Sequence, residues 1–438
     1  MNNNQYVLDA GTQKNIFIAF AIGVVLLILG ALFTNAGKKE AHEEHGTKTE
    51  HVVTENAAHE AVAEHKGGHH AEEVTVKEVV MFNAYNVFYF GFYIALAALF
   101  FLAGATLAWG GWQIQIQKIP LAMASNIGLF LVLLFVMFAV FGHDIFEWMH
   151  EDLYNPASPA YDPILASKHD FLNPTSFWVF SIIIATSCVL MFMKWWKTLT
   201  GMDSNPSRKL FSSSRMIAAI SIVIISFVIN TFATWYWSMS IQPHWYSTMF
   251  TWNTMAGAAV TMFSIVILLM NFLKSKGYLP RVNANHEHDV AKLMFAISVF
   301  WTYTWFAQYM LIWYANIPEE TIFFQIRRTT GTYGFIFHFM FLCNFVLPFF
   351  ILMKRKAKRN PKVTNVVACI IIFGQFTWFF LMNCPARIPI GGYGLISIGL
   401  LFMFGSIFIW VTLKALSKIK DLASTTHPFV EESYKLHI

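Results

Sequence analysis

The chain has 438 residues, of which 56% are hydrophobic, 17% aromatic and only 13% charged, against about 25% charged in ordinary soluble domains. With 44 Phe and 15 Trp it has too little polar surface to coat a water-soluble body, so lipid must serve as part of its solvent. The net charge of +5 would suggest nucleic acid in a soluble protein, but here topology accounts for it and no nucleic acid is expected. The four cysteines, Cys188, Cys343, Cys369 and Cys384, lie mostly in apolar runs with no paired or zinc-like spacing, which disfavours disulfide scaffolds, thiolate-bound clusters and covalent haem.

About 20 apolar residues cross a hydrocarbon core. That ruler predicts ten transmembrane helices: Asn15–Ala36, Met81–Trp109, Pro120–Phe141, Pro174–Trp196, Arg215–Ser238, Ser247–Leu273, Asp289–Ala315, Thr330–Met353, Val363–Asn383 and Gly392–Leu413. Most ends carry Trp or Tyr at headgroup depth or Lys and Arg just beyond. The first run is long, has only Lys14 as a positive flank and lacks a clear small-residue cleavage site, so it reads as an uncleaved anchor rather than a signal peptide.

The expected fold is therefore all-α and polytopic: about ten spans, forming two four-helix bundles plus two peripheral helices. Residues 1–36 form the anchor helix and 37–80 a polar loop. Residues 81–238 and 239–383 form the bundles, and 384–438 the last helix and tail. Ten spans place both termini on one face, which collects 21 of the 30 Lys and Arg. The positive-inside rule makes that face cytoplasmic.

The connection from Gly37 to Val80 carries ten Glu, five Lys and seven His. Such tracts bind metal in some proteins, but the irregular spacing favours a solvated linker or a docking strap lying over a partner, and no metal site is expected. The other connections are short, which favours antiparallel neighbours. The third and seventh helices occupy matching places in the two groups. Both end on the outer side in acidic clusters, around His143, Asp144 and Glu147 and around Glu319 and Glu320.

Ionisable groups at membrane depth are functional candidates by default. His143, Glu147 and His150 fall at i, i+4 and i+7, one face of a continuing helix. Carboxylates there oppose the helix dipole, so a proton relay and an ordinary wet surface both remain open. The seventh helix begins with His286, Glu287, His288 and Asp289, followed by Lys292. Asp289 and Lys292 suit a salt bridge or an N-terminal cap, with proton entry as the sharper alternative. His338 lies about 12 Å into its span at 1.5 Å per residue, where a satisfied core residue is commoner than a ligand and a place in the proton pathway is the sharper alternative. Arg327, Arg328 and Arg387 lie on the positively depleted outer face, where an acidic partner or anionic headgroups would suit them.

The runs Asp289–Ala296 (DVAKLMFA) and Phe300–Thr321 (FWTYTWFAQYMLIWYANIPEET) closely resemble the ActF-type membrane subunit of bacterial alternative complex III, within the NrfD-like superfamily of polysulfide reductase membrane subunits. The run from Gln308 to Thr321 is the specific part, and the ten-helix layout agrees over most of the chain. The resemblance implies a respiratory complex that oxidises menaquinol or ubiquinol and passes electrons to cytochrome c or a cytochrome oxidase. It implies as partners a pentahaem and a monohaem cytochrome c, a large periplasmic Fe–S protein and a second NrfD-like membrane subunit. Haem and clusters would then sit on those partners, and quinone stays open as a ligand of this chain. It further implies a role in proton conduction and assembly, for which the working hypothesis is two half-channels, Asp289 with His286 or His288 serving the cytoplasmic side and His143, Asp144 and Glu147 the periplasmic side. Asp289, Glu319 and Glu320 belong to the resembling motif, which by itself implies no role for them. Three alternatives stay open: a quinol-binding anchor of a molybdopterin-type oxidoreductase, a stand-alone secondary transporter, and a purely structural subunit. The clearest intramembrane proline, Pro348, lies near one end of its helix, which weakens the transporter.

Overall fold

The computed structural model describes residues 5–45, 75–204, 207–329, 331–388 and 392–435. Among them, ten helices are long and apolar enough to cross a membrane: α1 (Ala10–Thr34), α2 (Val76–Leu107), α3 (Lys118–Ile145), α4 (Pro174–Asp203), α5 (Arg208–Ile241), α6 (Thr248–Ser275), α7 (Ala284–Ala315), α8 (Tyr333–Leu352), α9 (Pro361–Asn383) and α10 (Leu395–Leu416). Each overlaps one of the ten expected runs, and the protein is an all-α, multi-pass membrane protein. The His-rich tract lies, from 46 to 74, outside the described residues.

Local chemistry sets the helix starts. Thr75 and Glu78 form a reciprocal capping box at the start of α2, meeting two amide donors that would otherwise lack partners. Asn283 caps α7, its side chain accepting the amides of Asn285 and His286. Asn360 caps α9 just before Pro361, where a missing amide costs nothing. Asp289 is therefore not the cap of α7. The helix starts five residues earlier because Asn283 supplies a better one.

Helix α2 packs on α3 and α5, while α4 packs on α5 and, less extensively, on α3. In the same pattern α6 packs on α7 and α9, and α8 on both of those. Contact between α2 and α6 joins the two sets, and these two are the most buried spans, at 83% and 78%. Lipid provides no hydrophobic drive between helices, so close packing and hydrogen bonds must hold them. Asn253 of α6 donates to the Trp301 carbonyl at 2.9 Å and to Thr304 at 2.8 Å on α7. Between α4 and α5, Trp237 donates to Ser181 at 2.9 Å and Trp195 to Ser221 at 3.1 Å.

Only 11% of α1 is buried, and its main contact is α10. A Cβ on Gly23 would lie 2.7 Å from the Gly399 carbonyl oxygen, and one on Gly399 would lie 2.7 Å from the Leu27 nitrogen. The two backbones touch there, which only glycine permits. At the other end of the pair Gln5 donates to the Ser417 carbonyl at 2.8 Å. That end defines the terminal face of the molecule, and the opposite end its far face.

Helix α8 contains a π-helical turn, Leu342–Val346, immediately before Pro348. The Leu347 amide reaches back to the Leu342 carbonyl, and Pro348 has no amide to offer, so carbonyls one turn earlier are short of donors. Ser298 of α7 supplies one, donating to the Asn344 carbonyl at 2.5 Å.

Candidate functional site

At the far face α3 stops at Ile145, and Phe146 turns extended (φ −111°, ψ 105°). Short 3-10 turns follow at Glu147–Met149 and Glu151–Leu153. The helical face expected to carry His143, Glu147 and His150 therefore does not form. Phe146 and Trp148 are both fully buried, packed with Phe177 of α4. Burying side chains of this size contributes on the order of 2 kcal/mol each, more than one further helical turn ending in carboxylates that oppose the dipole.

The reversal still gathers the expected side chains. His150 meets the His143 carbonyl at 3.1 Å, and the two rings are 5.7 Å apart. Arg387 joins them from the segment after α9, donating to the Ile145 carbonyl at 3.4 Å and lying 3.6 Å from the Glu147 carboxylate. It thereby supplies a donor to the last turn of α3. Burial pulls the Arg387 guanidinium down from its ordinary value, and the Glu147 and Asp144 carboxylates oppose that shift. A docking role for Arg387 is thus replaced by an internal one. His143, Asp144 and His150 remain exposed, and Glu147 is half-buried.

Arg327 departs further from expectation. It is fully buried and donates to the carbonyls of Leu381 (2.6 Å), Met382 (2.8 Å) and Phe323 (2.5 Å) and to Gln242 at 3.1 Å. Its five fixed donors suit such a cluster of acceptors, and a surface docking role is excluded. Arg328 is exposed and donates to the Tyr309 hydroxyl at 2.6 Å. Both arginines lie in the last turn of the helix Pro318–Thr329, with Glu319 and Glu320 in the first; each charge sign complements the helix dipole.

At the terminal face the expected Asp289–Lys292 salt bridge forms at 2.7 Å. Glu287 pairs with Lys274. His286 is buried, 3.0 Å from the Asn283 side chain and 3.2 Å from Ser433 of the C-terminal tail. His288 is half-buried, with Lys292, Arg359 and Arg355 around it. His338, expected in the core, is instead exposed on the outer side of α8, hydrogen-bonded to the Gly334 carbonyl at 2.6 Å.

One charged pair escaped the sequence reading. Lys118, at the start of α3, lies 2.6 Å from Asp203 at the end of α4, with side chains 1% and 6% exposed. Lys118 also donates to the Leu199 carbonyl at 2.8 Å. The signal was available: Asp203 is the only acid in the basic stretch from Lys194 to Arg215.

Between the two faces the interior is polar without being charged. Tyr85, Tyr89 and Tyr93 follow one another along α2, with ring centroids 6.1 and 4.7 Å apart. Tyr93 is 2.7 Å from Thr234, and Asn230 donates to the Thr251 carbonyl at 3.2 Å, passing from α5 to α6. Side-chain atoms of Asn86, Tyr89, Asn230, Asn253, Trp301, Gln375 and Asn344 are buried without a hydrogen-bond partner. Buried groups of this kind are met by ordered water. Among the described residues, no three His, Cys, Asp or Glu side chains converge as a metal site.

The class these features define is a multi-pass helical membrane protein with a hydratable polar interior and a charged cluster at each end. No protein-family model matches the chain, and no curated protein matches it.

Proposed function

We propose that the chain is a membrane subunit of a quinol-oxidising respiratory complex of the alternative complex III type, holding the assembly and conducting protons through two half-channels. The resemblance of residues 289–321 to the ActF-type subunit motivates the complex. The conduction role rests mainly on one observation: partnerless polar atoms recur through the interior, on α2, α5, α6, α7, α8 and α9. Carboxylate and imidazole groups lie at both ends of that interior, with Glu147 and His143 at one and Asp289 and His286 at the other. Side chains of these types exchange protons near neutral pH, and water held by the hydroxyl, amide and indole groups between them can carry a proton onward. In this reading the terminal face is cytoplasmic, the membrane is a bacterial inner membrane, and haem and Fe–S clusters belong to the cytochrome c and periplasmic subunits. Quinol oxidation is then assigned to the neighbouring NrfD-like subunit.

Glu147→Gln tests the conduction role, because it keeps the shape and removes the exchangeable charge. The complex carrying it is expected to assemble and oxidise quinol while moving fewer protons per electron in liposomes. An unchanged proton-to-electron ratio would remove Glu147 from the path.

A further inference from the structure

Helices α1 and α10 pack closely on each other and together form one wall of a cavity. Gly23 and Gly399 hold the backbones together toward the far face. From there toward the terminal face a cavity of about 640 Å³ lies between this pair and α2, α6 and α9. Its wall is apolar, with Phe90, Ile94, Leu269, Phe373, Leu401 and Phe404 among its lining residues. Gly405 also lines it, and a Cβ there would meet nothing within 4 Å.

Its length and its ends identify the occupant. Along α10 the lining runs from Leu401 to Leu413, roughly 18 Å at 1.5 Å per residue. That is about the depth of one leaflet in a hydrocarbon core roughly 30 Å thick. Because α1 is only 11% buried, the slot stands beside lipid. Its hydrogen-bonding residues at the mouth are Thr12 and Asn15. Deeper in, the Ser406 hydroxyl is spent on the Phe402 carbonyl at 2.7 Å.

The mouth itself is positively charged. Lys276 lies 3.6 Å from Asp9. Lys14 and Trp410 line the adjoining groove on the other side of α1, and Lys414 stands over the Trp410 ring at 4.5 Å. Three lysines against one aspartate leave an excess that attracts anionic headgroups by about 1 kcal/mol per cation near a membrane surface. Tyr6 packs edge-on against Tyr278, centroids 5.0 Å apart, and bridges α1 to the end of α6 beside the mouth.

We infer that this cavity is a binding site for one anionic phospholipid of the leaflet on the terminal face. An acyl chain fills the slot, and the phosphate sits at the mouth beside Thr12 and Asn15, held in the field of Lys14, Lys276 and Lys414 around it. A quinone ring would need donors at depth that the wall does not offer, whereas an acyl chain needs none. The bound chain adds to the few contacts that α1 makes beyond α10, fastening it to α2, α6 and α9.

The test uses the full chain purified in mild detergent and titrated with dioleoylphosphatidylglycerol or dioleoylphosphatidylcholine, with occupancy read by native mass spectrometry. The unmodified protein is expected to keep one phosphatidylglycerol through detergent washing and to prefer it over phosphatidylcholine. Gly405→Phe, which fills the slot without touching the helix contact, is expected to lower occupancy at least tenfold. Lys14→Gln combined with Lys276→Gln leaves the slot intact and is expected to abolish the headgroup preference. Equal occupancy in Gly405→Phe, no preference between the two lipids in the unmodified protein, or an isoprenoid quinone retained in place of phospholipid would each overturn the site.

Discussion

His427 shows how a single side chain ties the C-terminal tail to the bundle. It packs between Phe211 and Phe429, and its Nδ1 accepts the Phe429 amide at 3.2 Å. Burial, with Lys118 nearby, holds it down at about 4, against 6.5 for the free group. The released tail therefore takes up a proton below about pH 6.5 that the docked tail refuses. Docking is fully present above pH 6.5 and is lost as the pH falls from there toward 4. Hydrogen-exchange mass spectrometry, corrected for intrinsic rates, is expected to show residues 421–430 losing protection between pH 7.5 and 4.5. His427→Asn should flatten that dependence, and constant protection in the unmodified protein would contradict the assignment. Which residues carry charge was legible in the sequence, but their partners were not. Arg387 finds Ile145 from 242 positions away, and Arg327 reaches Leu381 and Met382 across a different helix. Local spacing holds no record of such pairings. The Asp289–Lys292 bridge was legible because its partners are three residues apart.

At the scale of elements, every span was legible, because an apolar run long enough to cross a bilayer has few other uses. Where a helix ends was harder to see. The end of α3 is decided by Phe146 and Trp148 finding room against α4, a tertiary event. Helix α8 shows the reverse case, a local defect repaired by a neighbour. Pro348 withholds an amide, and the Ser298 hydroxyl answers the Asn344 carbonyl. Ser298→Ala is expected to cost about 0.6 kcal/mol and at most about 1.7, the average and the largest value measured for hydrogen bonds between membrane helices. In a Pro348→Ala background, where the backbone supplies its own donor, the same change should cost less. Unfolding the four proteins in mixed micelles of rising SDS content gives the coupling directly. Strict additivity would mean that the serine and the proline are unrelated.

At the scale of the whole molecule, the fold combines two features that a simple membrane anchor does not need. Its two most buried spans, α2 and α6, are lined with tyrosine, asparagine and threonine rather than only aliphatic side chains. Charged clusters close both ends, one through Arg387 and Glu147, the other through Lys118 and Asp203 beneath the C-terminal tail. Polar groups at membrane depth are expensive and are retained for transport or for assembly. Such an interior is more than a structural strut requires. The most direct measurement is a mild-detergent pull-down of the tagged chain, read by mass spectrometry and a reduced-minus-oxidised spectrum. The account predicts co-purifying multihaem cytochrome c, visible in the spectrum, together with a large Fe–S subunit and a second polytopic membrane protein. A colourless protein with no partners would contradict it and favour a stand-alone transporter.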